Sequence, residues 1–386
     1  MEILFWVFVS IVFYTYIGYG LLLWCLVKIK ELFIPYKVAV LPETLPPITL
    51  LIAAYNEEDY VEDKMQNCKE FDYPENKVTI LWVTDGSNDR TNELLEQYPD
   101  VKICFQPERR GKTAALNRGI TFVRDSFVFF SDANSMLNKG ALKEIIARFS
   151  DPKVGCVSGE KRIDSQGDDE VSSKGEGVYW RYESKLKELD SRLYSVVGAA
   201  GEAFAIRTEL YEQLPEDTLL DDFMLSMRIT QKGYRNAYCP QAYAVEGGSL
   251  DMTEEGKRKV RIAAGGLQSV WRLRSLLNIF RFGFLSFQYI SHRVLRWTIT
   301  PFLLLFLPLI TIFLCLKENL FIYFSFLAVQ LIFCLFAMLG NIYGKKYKLF
   351  YIPYYFLFMN LNVFKGIVYI IKRKNKSGAW EKSKRR

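Results

Sequence analysis

The 386-residue sequence predicts an α/β domain with a mostly parallel central sheet, held between N- and C-terminal transmembrane helices. Three observations carry that expectation. Short β-branched runs alternate with amphipathic segments between residues 46 and 275. Long uncharged runs lie on either side of that stretch. Polar clusters containing an acid follow three of the strand-like runs.

The strands come in order. Ile48 to Ala53 reads as a buried strand, Val78 to Val83 as a second, Val101 to Phe105 as a third and Phe127 to Phe130 as a fourth. Helical patterns separate them: Tyr60 to Glu70, Thr91 to Tyr98 and Lys112 to Val123. This alternation builds a parallel sheet with helices on both faces. Such sheets bind ligands at the carboxyl ends of their strands.

The membrane segments follow from charge and length. Ile3 to Val27 carries no charge and is long enough to span a bilayer. A cleaved signal peptide would begin with basic residues and end at a small-residue site. This run begins Met1-Glu2 and ends Trp24-Cys25-Leu26-Val27-Lys28, so residues 1–30 are expected to stay as an anchor. Lys28, Lys30 and Lys37 then place the α/β domain, residues 46–275, on the cytoplasmic side. Residues 276–292 are aromatic-rich with an arginine and read as interfacial.

Residues 293–371 form a C-terminal membrane region. Trp297 to Leu316 and Leu320 to Leu339 are uncharged spans. Leu349 to Ile371 is interrupted by Pro353, Asn360, Asn362, Lys365 and Gly366. A third full crossing here would carry the basic tail, residues 372–386, to the outside. The expectation is therefore a re-entrant or interfacial segment, broken near Pro353 or Asn360 to Asn362.

Composition excludes several classes. The net charge is +7, and much of it sits in Lys345, Lys346, Lys348 and the tail, beside apolar runs. Anionic membrane lipids suit such clusters better than nucleic acid does. The seven cysteines include no C-x-x-C pair, which argues against a zinc site or disulfide framework. His292 is the single histidine, which removes Ser-His-Asp hydrolysis and histidine-rich metal centres.

Chemistry gathers at the strand ends. The first strand is followed by Tyr55-Asn56-Glu57-Glu58, the second by Asp85-Gly86-Ser87-Asn88-Asp89, the fourth by Asp132-Ala133-Asn134. One acid after a strand is usually a helix cap. Three such clusters on one sheet edge point to a site. Asp85 can face a base or ribose. Asp132 and Asn134 offer oxygen ligands to a divalent cation such as Mg or Mn. Lys112, at a helix start, suits a diphosphate. Gly111-Lys112-Thr113 lacks the earlier glycine of a Walker loop.

In order, these motifs resemble glycosyltransferase family 2: Tyr55 to Glu58, Asp85 to Thr91, Gly111 to Asn117, and Asp132-Ala133-Asn134. Gly198 to Arg207 resembles that family's acceptor-side segment, and Leu219-Leu220-Asp221-Asp222-Phe223 its catalytic acid pair. The resemblance covers about residues 48 to 300 and implies a Rossmann-like GT-A fold and inverting, direct displacement. It implies a membrane-bound hexosyltransferase that moves a sugar from a nucleotide-sugar, UDP-linked, to a lipid-linked or polysaccharide acceptor. The setting would be glycan or exopolysaccharide biosynthesis at the plasma (inner) membrane.

The resemblance also implies roles. Asp222 is the base and Asp221 its neighbour. Asp132 holds the metal, with Asn134 beside it. Tyr55, Glu57 and Asp85 face the nucleoside, Glu202 the acceptor, and Arg258 and Arg261 the diphosphate or acceptor path. Three departures stand out. Asn134 replaces the second Asp of D-x-D, Thr84 precedes Asp85 where an Asp is common, and Arg258-Lys259-Val260-Arg261-Ile262 replaces Q-x-x-R-W. The last removes an aromatic platform and makes single addition at least as plausible as processive synthesis. Rival readings are a catalytically silent scaffold, which would tolerate loss of Asp132 or Asp222, and a transporter, which needs more spans. A nucleotidyltransferase would carry a Gly-rich loop after the first strand, unlike Ala53-Ala54-Tyr55-Asn56. No feature fixes an oligomeric state.

Overall fold

The computed structural model describes residues 1–163, 170–248, 251–343 and 347–373, and for 170–179 and 348 the backbone alone. The basic residues 345–346 and 374–386 lie outside the described residues.

One sheet of eight strands organises the α/β region, in the order β3-β2-β1-β4-β7-β6-β8-β5. The strands are β1 (Ile48–Ala54), β2 (Val78–Asp85), β3 (Lys102–Gln106), β4 (Phe127–Asp132), β5 (Met136–Leu137), β6 (Val154–Ile163), β7 (Phe204–Arg207) and β8 (Arg235–Glu246). β3, β2, β1 and β4 are mutually parallel, and β6 pairs parallel with β8. β7 runs antiparallel between β4 and β6. The mostly parallel sheet is as the sequence predicts.

β1 lies inside the sheet and is apolar on both faces. Ile48, Leu50 and Ile52 enter one core with Trp82 and Phe129. Leu51 enters the other with Leu81, Val83 and Phe130. Alternate residues thus feed opposite cores, and the strand reads as a continuous apolar run. Because the parallel strands share a direction, Ala54, Asp85 and Asp132 finish on one edge.

Among the described residues, four helices are long and apolar enough to cross a membrane: Glu2–Phe33, Ile299–Glu318, Phe321–Tyr343 and the last, Lys348–Lys372. The last one lacks the break expected from the sequence. It runs unbroken through Pro353 and Asn360 to Asn362. Asn360 and Gly366 serve in packing instead. Asn360 Nδ2 donates to Phe356 O at 2.9 Å, and Asn360 Oδ1 accepts from Tyr16 Oη at 2.7 Å. At Gly366 the helix lies against Ala263, where an added Cβ would come within 2.9 Å. The partner there is helix Met252–Arg272, which Tyr355 also meets through Glu255 at 3.2 Å.

The N-terminal helix docks on helix Glu170–Leu193. Lys30 Nζ donates to Arg192 O and Leu193 O, at 2.7 and 2.8 Å, which satisfies carbonyls at that helix's end. Arg192 returns a two-pronged bond to Glu31, at 2.7 and 2.6 Å. His292 is fully buried in the same seam, between Asp190 at 2.6 Å and Glu183 at 3.3 Å. Residues 276–292 form short helical turns that bury Leu276, Leu285 and Tyr289 and leave Ile279, Phe280 and Phe284 exposed.

Candidate active site

A cleft of about 440 Å³ opens over the carboxyl edge of β1, β2 and β4. Every candidate residue from the sequence lines it: Tyr55, Glu57, Asp85, Lys112, Asp132, Asn134, Glu202, Asp221, Asp222, Arg258 and Arg261.

The floor is built from turns. Asp85 ends β2 almost wholly buried, and its Oδ2 accepts the backbone amides of Arg110 and Gly111 at 3.1 and 2.6 Å. Gly86, at φ +71°, lets Arg109 approach, since a Cβ there would stand 2.7 Å from the Arg109 nitrogen. The Arg109 guanidinium lies 3.7 Å over the Tyr55 ring. Asp85 thus holds the loop that launches helix Lys112–Gly119 as well as lining the cleft.

That launch delivers Lys112. Its Nζ lies 2.6 Å from Asp132 Oδ1 and 4.0 Å from Asp221 Oδ2. One ammonium therefore joins the β4 acid to the acid pair at the start of helix Asp221–Gln231. Acids in a first helical turn are favoured by the dipole, and Asp222 Oδ1 also accepts the Phe223 amide at 2.8 Å. Burial, and next the Asp221 carboxylate, push the Asp222 carboxyl up to about 7. A carboxylate so poised is a competent base near neutral pH.

The segment 198–202 wraps over this pair. Gly198 has φ +90°, and a Cβ on it would collide with the Phe223 ring. A Cβ on Gly201 would stand 3.0 Å from Asp222 Oδ2. Glycine at 201 therefore keeps that oxygen reachable. Glu202 is paired with Lys161 at 2.5 Å and faces Arg258 at 3.9 Å. Arg258 and Arg261 stand on the cleft side of helix Met252–Arg272, and Arg261 Nε is buried without a hydrogen-bond partner.

Other residues of the cleft escaped the sequence reading. Trp180 and Trp297 line it, and Met359 reaches it from the last apolar helix. Trp297 stands edge-on to Phe223, 5.1 Å between centroids, in space left open by Gly266. Gly266 lies one helical turn after Ile262, so an aromatic ring occupies this wall although position 262 is aliphatic. No local motif marks either tryptophan, because each reaches the cleft only through tertiary packing.

The donor set fits a hard divalent cation. Asp132 and Asn134 supply oxygen, and Asp221 Oδ2 is buried without a hydrogen-bond partner. Among the described residues no cluster of three or more His, Cys, Asp or Glu forms a closed metal cage. A cation here would complete its shell with oxygens of a bound diphosphate.

Residues 49–214 match the model of the family Glycosyl transferase family 2. The chain carries a glycosyltransferase family 2 domain. Over 241 residues it is 29% identical to a poly-beta-1,6-N-acetyl-D-glucosamine synthase of Staphylococcus aureus strain MSSA476. That match covers 60% of this chain and 57% of the relative, so it spans little more than half of that protein. A synthase of the same name from Staphylococcus epidermidis is 34% identical over 120 residues, covering 30% of this chain and 29% of the relative. In fold, the chain is similar to a mannosyltransferase from Pyrobaculum calidifontis solved with GDP-Man and Mn2+. The TM-score is 0.73 at 22% identity, covering 96% of this chain and 100% of the other. The GT-A architecture expected from the sequence is the one observed.

Proposed function

We propose that this glycosyltransferase is an integral membrane enzyme that moves N-acetylglucosamine, or a closely similar hexose, from a UDP-sugar to a growing glycan. The observation that carries the proposal is Lys112, which joins Asp132 to Asp221 beside the raised-pKa carboxyl of Asp222. Diphosphate-side and acceptor-side groups thus share one cleft.

In this mechanism Tyr55, Glu57 and Asp85 face the nucleoside. Lys112 turns from Asp132 to the donor diphosphate, joined by Arg261, whose Nε has no protein partner. Asp132 and Asn134 would hold a divalent cation, which would supply neutralising charge to the leaving diphosphate. Asp222 takes the proton of the acceptor hydroxyl. The oxygen forms a bond to the anomeric carbon from the opposite face. The bond from that carbon to the phosphate oxygen breaks, and UDP leaves with the electron pair. The anomeric configuration inverts.

The acceptor enters where Trp180, Trp297 and Met359 line the cleft, near the membrane helices. Relatives named as polysaccharide synthases support a glycan acceptor. The Trp297 wall offsets the missing aromatic at position 262 and restores the case for repeated addition. The lysines after the first helix favour a cytoplasmic active site at the plasma membrane, with exposed Ile279, Phe280 and Phe284 resting in the interface. A fourth crossing by Lys348–Lys372 would then place the tail outside, and a reporter fused after Arg386 reads its side.

A donor panel tests the proposal. Purified protein with lipid extract is given UDP-N-acetylglucosamine, UDP-glucose and GDP-mannose, with and without EDTA, and products are read by mass spectrometry. UDP-N-acetylglucosamine consumed into an EDTA-sensitive, lengthening glycan supports it. No sugar transfer from any of the three overturns it.

A further inference from the structure

Lys64 occupies a core position of its helix. Helix Val61–Lys69 buries Val61, Lys64, Met65 and Cys68, the i, i+3, i+4, i+7 stripe that faces a core. Three of the four are apolar, and the fourth is a lysine with no exposed surface. Its Nζ donates to Ser131 Oγ at 2.8 Å and to Ser135 O at 2.5 Å. Among the described residues it forms no ion pair with a carboxylate. One turn on, Asn67 adds two bonds to the same stretch of chain. Its Nδ2 donates to Leu137 O at 2.7 Å, and its Oδ1 accepts Leu137 N at 2.8 Å.

These contacts bracket the turn that carries Asp132 and Asn134. Ser131 precedes the pair and Ser135 follows it, so a single ammonium ties both ends together from beneath. Burying an ammonium is costly even with the Asp132 charge nearby, and its two hydrogen bonds to the turn offset only part of that cost. Packing of the apolar stripe alone gives no reason for a lysine here. The turn does, because the spacing of its two oxygen-bearing side chains depends on how its ends are held.

We propose that Lys64 is a positioning residue for the Ser131–Ser135 turn, fixing Asp132 and Asn134 in the spacing that a divalent cation with a nucleoside diphosphate requires. This rests on the metal-bearing reading of the cleft given above. Lys64 touches neither substrate nor metal. It acts through Ser131 and the Ser135 carbonyl.

The test uses the full-length protein in detergent, with Mn2+ and UDP or GDP as probes, and free Mn2+ counted by electron paramagnetic resonance. Lys64→Met keeps the length and removes the charge and both bonds. Expected is a loss of about tenfold or more in nucleotide-dependent Mn2+ affinity, in a protein that still unfolds cooperatively. In turnover assays KM for Mn2+ rises while kcat at saturating metal stays near wild type. Ser131→Ala removes one acceptor without unburying anything, and a smaller loss in the same direction is expected. The double variant should be no worse than Lys64→Met alone. A folded Lys64→Met that binds Mn2+ like wild type overturns the proposal. Should Lys64→Met not fold, Ser131→Ala decides, and unchanged affinity there overturns it equally. A wild type that takes up no Mn2+ with either nucleotide overturns the metal-bearing reading itself, an outcome distinct from a variant that merely matches wild type.

Discussion

Lys112 Nζ and Asp132 Oδ1 lie 2.6 Å apart, although one starts a helix and the other ends β4. The pair is charge-assisted and part-exposed. A diphosphate arriving in the cleft offers the ammonium more negative charge than one carboxylate does. Lys112→Met should weaken UDP binding by about 1.5–3 kcal/mol, the worth of a hydrogen bond to a charged group. Isothermal titration calorimetry reads this directly, and unchanged affinity would remove Lys112 from the diphosphate site.

Asn134 offers a neutral oxygen where a carboxylate would bind a divalent cation more tightly. Asn134→Asp should lower the Mn2+ concentration needed for half-maximal activity. An identical metal titration for the two proteins would show that position 134 is not a ligand.

The Asp222 carboxyl, pushed up to about 7, sets the pH response. The base must be ionised to accept the acceptor proton. Activity is therefore expected above about pH 7, and kcat/KM should fall about tenfold per unit well below it. The Asp221 carboxylate is the second cause of the rise. Asp221→Asn should move the acid limb to lower pH. A limb that stays in place would detach Asp222 from the profile.

Gly201 leaves Asp222 Oδ2 open, since a Cβ would stand 3.0 Å from it. Gly201→Val should cut turnover by at least about a hundredfold, in line with loss of general-base catalysis, while UDP binding persists. A valine variant with normal kcat would mean the acceptor reaches Asp222 from another side.

Much of this was legible in the sequence, for local reasons. β1, β2 and β4 announce themselves because each is a β-branched or aromatic run ending in an acid cluster. Parallel pairing then brings Tyr55, Asp85 and Asp132 to one edge without further information. β6 was not legible, because Gly155, Ser158 and Gly159 dilute its apolar pattern. Gly159 is required by close approach, as a Cβ there would meet the Ala242 and Ala203 carbonyls within 2.9 Å. The break expected near Asn360 failed because the asparagine's partners, Tyr16 and the Phe356 carbonyl, include one from the other end of the chain. Lys64 did carry a signal: a charge on the apolar stripe of an amphipathic helix.

The central claim is that Asp222 is the base of a glycosyl transfer. It is tested most directly by Asp222→Asn with UDP-N-acetylglucosamine and lipid-extract acceptor, turnover and UDP affinity being measured on the same preparation. The account predicts that transfer falls by about a thousandfold, within the range of general-base catalysis, while UDP binds within about threefold of wild type. An Asp222→Asn enzyme that keeps a large part of its turnover would contradict it.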